Sequence, residues 1–277
     1  LHRSLPPTTV WGQWTPEQLH FDAFTGIVLG ASAAGVPFPP GARGSDPAFR
    51  RRLLADSVMV RAVVVPGAPT QRTAPILGLY DWQKTQIFLL AQRGRAVMFS
   101  MRMNAGRTSV RDPVIALDDV FPSAAMARAR ADTLYVSAGV VANALVISAR
   151  DTRGLARARR VPLSPGLGWS FFIPWSYGFG GETPFLSILW LGGLFLPLAY
   201  WGARSGRRIE MLMLSCACAV NGLVVAPLVL RGAPATGWEW LGVAAGAAVG
   251  LAIAALGNGV DGKRTFPRPT ASRVRAA

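Results

Sequence analysis

The sequence predicts a mainly β soluble domain followed by an α-helical transmembrane region of three helices. Three observations carry this. Thr183–Ala203, Ile209–Leu230 and Gly237–Gly257 are apolar segments, each close to the roughly 20 residues a helix needs to cross a hydrocarbon core. None has a charge in its middle, where desolvating it is costly. Ahead of them, short runs rich in Val, Ile, Phe and Leu alternate with Gly, Pro, Asn and Asp, the pattern of strands between turns.

These features divide the 277 residues into an irregular lead-in (1–16), a β-sandwich (17–177), a glycine-rich joint (178–182), three transmembrane helices (183–260; spans 183–203, 209–230 and 237–257) and a basic tail (261–277). The strand candidates are Leu19–Leu29, Ser57–Val65, Ile76–Tyr80, Gln86–Gln92, Ala96–Met103, Val114–Leu117, Thr133–Ser137, Ala144–Ala149 and Trp169–Ile173. In Ala96–Met103, Val97, Phe99, Met101 and Met103 share one face. Gln92–Arg95 reads as a hairpin turn. Asp46-Pro47 and Pro122-Ser123 each open a short helix, with a polar residue placed to cap it or proline in the first turn. Nine short strands at this spacing predict a sandwich. Leu1 opens directly on polar, proline-rich sequence, which predicts a segment upstream, either a removed signal or a further helix.

Net charge is +15, and Lys84 and Lys263 are the only lysines. The arginines are scattered and show no aromatic-interleaved basic stripe, which argues against nucleic acid; anionic lipid headgroups account for part of the excess. Arg50–Arg52 reads by default as a solvated helix face, with binding of an acidic partner or of lipid headgroups as the alternative. Loop charges set the topology. Arg204, Arg207 and Arg208 lie in the first loop, and Lys263, Arg264, Arg268, Arg273 and Arg275 in the tail, against Arg231 alone in the second loop. The positive-inside rule places the first loop and tail in the cytoplasm, beside anionic lipid, and residues 1–182 outside, as in a bacterial inner-membrane protein with a periplasmic or extracellular domain. Cys216 and Cys218, both in the second span, point to different sides of a helix and cannot bridge each other.

The stretch Ala74–Asn104 (APILGLYDWQKTQIFLLAQRGRAVMFSMRMN) resembles the core of concanavalin A-like, laminin-G-type sandwich domains. Pro75–Asp81, Ile87–Gly94 and Ala96–Met103 match their strand order. Ser164–Trp175 followed by Leu189–Trp201 is similar to bacterial membrane proteins that join such a sandwich to a VanZ-like helical region. Leu134–Gly139 (LYVSAG) stands where that resemblance puts a Tyr-x-Asp-Gly turn, with Ser and Ala in place of the polar residues. The resemblance implies a binding-type fold, and a calcium loop as one role for the acidic pair Asp118-Asp119. A turn and helix cap is the plainer reading of that pair.

Little points to catalysis. His2 and His20 are the only histidines, no span contains one, and His/Cys clusters of the kind zinc requires are absent from the sequence. Glu17, Glu182, Glu210 and Glu239 are isolated, so the paired carboxylates of a glycosidase are missing. No cofactor is expected. The helices say more. Gly242, Gly246 and Gly250 form a small-residue ridge suited to close packing, within the chain or against another, and Asn221 offers an interhelical hydrogen bond. Trp190, Trp201, Trp238 and Trp240 sit where interfacial aromatic belts form. Pro197 and Pro227 are expected to kink their helices.

The leading expectation is a non-catalytic accessory or scaffolding subunit of a larger membrane complex, with photosynthetic and respiratory assemblies as hosts. The alternative is a membrane-tethered envelope glycan-binding module, with Trp11, Trp14 and Trp82 as contacts. Third comes an envelope-glycan enzyme acting through Asp118 and Asp119.

Overall fold

The computed structural model describes residues 9–12, 21–37, 52, 57–81, 86–102, 113–123, 132–173, 177–205, 208–229 and 232–261. In chain order the strands are β1 (Thr9–Gly12), β2 (Ile27–Ala33), β3 (Val36–Pro37), β4 (Val58–Val65), β5 (Thr70–Asp81), β6 (Gln86–Gly94), β7 (Ala96–Met101), β8 (Val114–Leu117), β9 (Leu134–Val141), β10 (Ala144–Asp151), β11 (Ala156–Pro162) and β12 (Gly178–Phe179). They form two six-stranded sheets, ordered β1-β5-β6-β7-β8-β12 and β11-β10-β9-β4-β2-β3. The β8–β12 pair is parallel and the other pairings are antiparallel.

Period-2 patterning produces the sandwich. In β4, Val58, Val60, Ala62 and Val64 are buried, while Met59, Arg61, Val63 and Val65 face outward. In β7, Val97, Phe99 and Met101 point into the core, as the alternation predicts. Both sheets feed one cluster around Phe88, Phe99, Phe121, Ile115, Leu145 and Ile147. The central strand β6 reads as an almost unbroken apolar run because both its faces are covered. Two-residue turns close the hairpins β2–β3 (Ala34 φ 51°, Gly35 φ 77°) and β9–β10 (Ala142 φ 46°, Asn143 φ 59°), the twist that right-handed strands require.

Three helices follow: α1 (Thr183–Arg204), α2 (Arg208–Val220, continuing through Asn221–Val225 to Ala226–Val229) and α3 (Gly237–Asp261). Thr183–Arg204, Ile209–Val229 and Gly237–Leu256 are long and apolar enough to cross a bilayer. This is a membrane protein with a β domain. The Asn221–Val225 segment is a π turn in which the Ala226 N–H bonds to the Asn221 carbonyl. It precedes Pro227, which has no N–H to offer the carbonyl of Leu223; the wider turn re-spaces the ladder there.

Several expectations need correction. Trp169–Ile173 is not a strand: Pro165–Phe172 is a 3₁₀ helix with proline in its first turn. The first long strand begins at Ile27: in the described residues before it, 21–26, no strand forms, the Asp22 N–H donating to the Thr73 carbonyl (2.9 Å) and the Asp22 carboxylate accepting the Arg72 N–H (2.8 Å), while Leu19 and His20 lie outside the described residues. Thr9–Gly12, inside the expected lead-in, pairs with β5. Leu134–Gly139 lies within β9, and the turn follows at Ala142–Asn143. Strand β11 was not predicted. Helix α3 runs past the expected span end, to Asp261. Of the expected short helix after Asp46-Pro47 only Arg52 is described, in helical conformation; the one after Pro122-Ser123 and the tail beyond Asp261 lie outside the described residues.

Candidate functional site

Where the β domain meets the helices, the chain builds a polar lock from residues far apart in sequence. The Thr236 N–H donates to Glu239 Oε2 (2.9 Å) and the Glu239 N–H to the Thr236 carbonyl (3.1 Å), tying the first turn of α3. The other carboxylate oxygen, Glu239 Oε1, accepts the Gly166 N–H (3.0 Å) and the Ser164 hydroxyl. Glu239 is 1% exposed. Three donors and the N-terminus of a helix compensate the buried carboxylate. Glu239 packs directly against the Gly166 backbone, so a Cβ there would displace the Glu239 side chain.

The 3₁₀ helix is held from its other side by α1. Trp169 donates its indole N–H to Ser187 Oγ (3.3 Å) and meets Tyr177 and Phe179 edge-on at 5.0 and 6.0 Å. Phe172 stacks at a tilt on Trp190 (5.2 Å). The Tyr177 hydroxyl donates to Glu182 Oε1 (2.6 Å) just before α1 begins. Burial, then the Glu182 carboxylate, push the Tyr177 phenol above its ordinary range, with Arg159 opposing. The hydrogen bond from Tyr177, then one from its own backbone, hold the Glu182 carboxyl below its ordinary range. A third tie joins the turn Ala142–Asn143 to the loop between α2 and α3: Asn143 Nδ2 donates to the Gly232 carbonyl (3.4 Å), and the Ala233 N–H to the Leu163 carbonyl (3.3 Å). The β domain is thus fixed to its helices at three places.

Inside the bundle the glycine ridge packs within the chain. A Cβ on Gly246 would lie 2.2 Å from the Gly192 carbonyl oxygen; on Gly242, 2.9 Å from that of Ile188; on Gly250, 2.4 Å from that of Leu196. Gly192 is the partner that spacing alone did not name. Asn221 makes no bond between helices: its amide donates to the Ala217 carbonyl of its own helix (2.9 Å), on an exposed face. Trp238 and Trp240 are exposed at the domain end of α3, Trp201 is exposed at the far end of α1, and Trp190 is half-buried in the junction.

Asp118 and Asp119 are engaged by arginine. Arg95 bonds Asp119 (3.0 Å) and Arg159 bonds Asp118 (3.4 Å), while Arg157 caps both backbone carbonyls. Calcium needs six to eight oxygen ligands. Among the described residues no group of three His, Cys, Asp or Glu gathers. Trp11 lies on edge strand β1 opposite Leu79. Trp14 and Trp82 lie outside the described residues. The sequence reading missed Glu239, although Thr236-x-x-Glu239 before an apolar run is a capping-box signal.

No family model matches the chain, and no curated protein or solved structure matches it either. The likeness to concanavalin A-like and VanZ-like proteins therefore rests on the residues quoted for it.

Proposed function

We propose that the chain is a non-catalytic, membrane-anchored accessory subunit that binds and stabilises a larger membrane protein complex, photosynthetic or respiratory. The observation that carries this reading is helix α2. It buries only Ala219, Leu223 and Pro227, and turns Ala217, Asn221, Gly222, Val224 and Leu228 outward. Asn221 stands near the middle of the Ile209–Val229 span, where an amide in hydrocarbon is poorly solvated. A neighbouring protein helix is a better environment for it than lipid.

Outside the membrane, Ile27, Leu29, Tyr135 and Leu155 are exposed on the β domain, apolar surface for an external contact with the same complex. The lock at Glu239 supports the reading because it holds both surfaces in one orientation. The loop charges support a bacterial inner-membrane placement with the β domain periplasmic and the tail cytoplasmic. The test is purification from native membranes in mild detergent, with mass spectrometry of stoichiometric companions. A defined set of membrane proteins is expected; a lone monomer or homo-oligomer overturns the proposal.

A further inference from the structure

A cleft of about 330 Å³ opens at one end of the second sheet, lined by Ser32, Gly35, Arg52, Ser57, Met59 and Arg61 among others. Strand register locates it. Ser32 is the cross-strand neighbour of Arg61, and Arg61 of Ser137, on the outer face of the sheet. At the end of β4, Val58 lies opposite Val140, two residues before the turn Ala142–Asn143. That turn donates to Gly232 in the loop between α2 and α3. Strands lie roughly 5 Å apart, so the cleft sits within a few strand spacings of the helix loop, on the edge of the β domain that faces the bilayer.

Its chemistry is one-sided. Some arginines of the domain meet a carboxylate: Arg95 with Asp119, Arg153 with Asp132 and Arg159 with Asp118. Among the described residues, Arg52 and Arg61 have no carboxylate partner and no carboxylate lines the cleft. The Ser32 and Ser57 hydroxyls add donors without a side-chain partner among the described residues. Two guanidiniums and two hydroxyls around one hollow match the oxygens of a phosphate, which arginine binds as a planar fork.

We infer that this cleft is a binding site for a phosphate-bearing anion, and that its place beside the bilayer makes the ligand the phosphodiester of an anionic lipid headgroup in the leaflet under the β domain. This goes beyond the accessory-subunit reading and does not depend on it. It is also distinct from the lipid contacts expected of the arginines in the first helical loop and the tail: Arg204 lies at the end of α1 away from the β domain. A lipid clamped here would set the height of the domain on the membrane.

The test uses the full chain, delipidated in neutral detergent and titrated with phosphatidylglycerol, with phosphatidylcholine and inorganic phosphate in parallel, read by native mass spectrometry. One phosphatidylglycerol is expected to bind in preference to phosphatidylcholine. The R52Q/R61Q double variant is expected to bind it about tenfold more weakly or worse, each arginine near an anionic surface contributing roughly a factor of several. R61Q alone should show a smaller loss. R150Q, at the far end of the sheet where Arg150 covers the Tyr135 ring, should bind as the parent does. Undiminished binding by the double variant, or an equal loss in R150Q, overturns the site. Inorganic phosphate bound as tightly as the lipid overturns the assignment to a headgroup.

Discussion

Helices α1 and α3 are joined as a pair, and α2 only leans on them. Along the α1–α3 seam, Gly192, Gly242, Gly246 and Gly250 bring two backbones together so closely that no side chain fits between them. In α2 the corresponding small residues, Ala217, Cys218 and Gly222, look outward, and a Cβ on Gly222 would meet nothing within 4 Å. Both stretches are small-residue ridges in the sequence. The difference shows that such a ridge records close approach only where a second backbone lies opposite. The α1–α3 seam is spent on the protein's own architecture. The α2 face remains available to something outside the chain.

The sharpest way to break this contrast is to add one methyl group on each side of it. Gly246→Ala should destabilise the bundle by about 2–4 kcal/mol, because backbone on both sides prevents the relief a flexible side chain would allow. Gly222→Ala should change stability by less than about 1 kcal/mol, and in the favourable direction if anything, since alanine is the better helix former. Gly193→Ala, one residue from the seam and open to space, is the control within α1. Thermal unfolding of the three variants in one detergent measures the contrast. Equal losses at Gly246 and Gly222 would mean that α2 is packed as tightly as α3.

Glu239 tests whether the bundle also orients the β domain. Glu239→Ala leaves the Ser164 hydroxyl and the Gly166 and Thr236 N–H groups without their acceptor, a loss of about 2–4 kcal/mol for a buried hydrogen-bonding hub. Glu239→Gln keeps an acceptor oxygen and should cost less. Hydrogen exchange across Pro165–Phe172 is the local readout: it should rise more in the alanine variant than in the glutamine one, while the strands of the second sheet stay protected. Uniform loss of protection would assign Glu239 to global stability instead of to the junction.

Asn221→Leu examines the free side of α2. Its amide bonds only to Ala217 in the same helix, so the isolated protein should keep its stability within about 1 kcal/mol. Recovery of membrane partners in a native purification should fall. Partners retained in full would move the contact away from this face.

How much of this was legible beforehand depended on the range of the interactions involved. Val114–Leu117 and Val58–Val65 could be read from alternation because one face of each meets the core. The three spans could be read because lipid imposes one rule along a continuous segment. Strand β11 was hidden: its alternation is of Ala with Arg, and Arg157 and Arg159 reach to Asp118, Asp119 and Ala116 across the edge of the sandwich instead of filling its core. Trp169–Ile173 was misread because a short apolar run carries no period of its own. Its conformation is fixed by Pro165 locally and by Glu239, which lies 73 residues from Gly166. The glycine ridge was visible, but its partner Gly192 depends on how α1 and α3 come together, which spacing does not encode.

The smallest effect is expected at Tyr177, where the junction meets solvent. Its phenol is held protonated by burial and by Glu182, and the Glu182 carboxylate is held ionised by that same hydrogen bond. The two signs bracket a window. Glu182 has a depressed folded value, so its contribution is present above the ordinary carboxylate range and fades as pH falls through that depressed value. Tyr177 has a raised folded value, so its contribution is present below the ordinary phenol range and fades as pH rises beyond it. Both groups are partly solvated, which limits the pair to about 1 kcal/mol or less. Spectrophotometric titration should find a tyrosine step above the ordinary phenol range, and Tyr177→Phe should remove it. Because the Tyr177 ring lies 5.0 Å from Trp169, the variant should leave the edge-on contact and the tryptophan emission intact near neutral pH. An emission shift already at neutral pH would mean that the hydroxyl, and not the ring, positions Trp169, and that the lock between domain and helices reaches from Glu239 as far as Glu182.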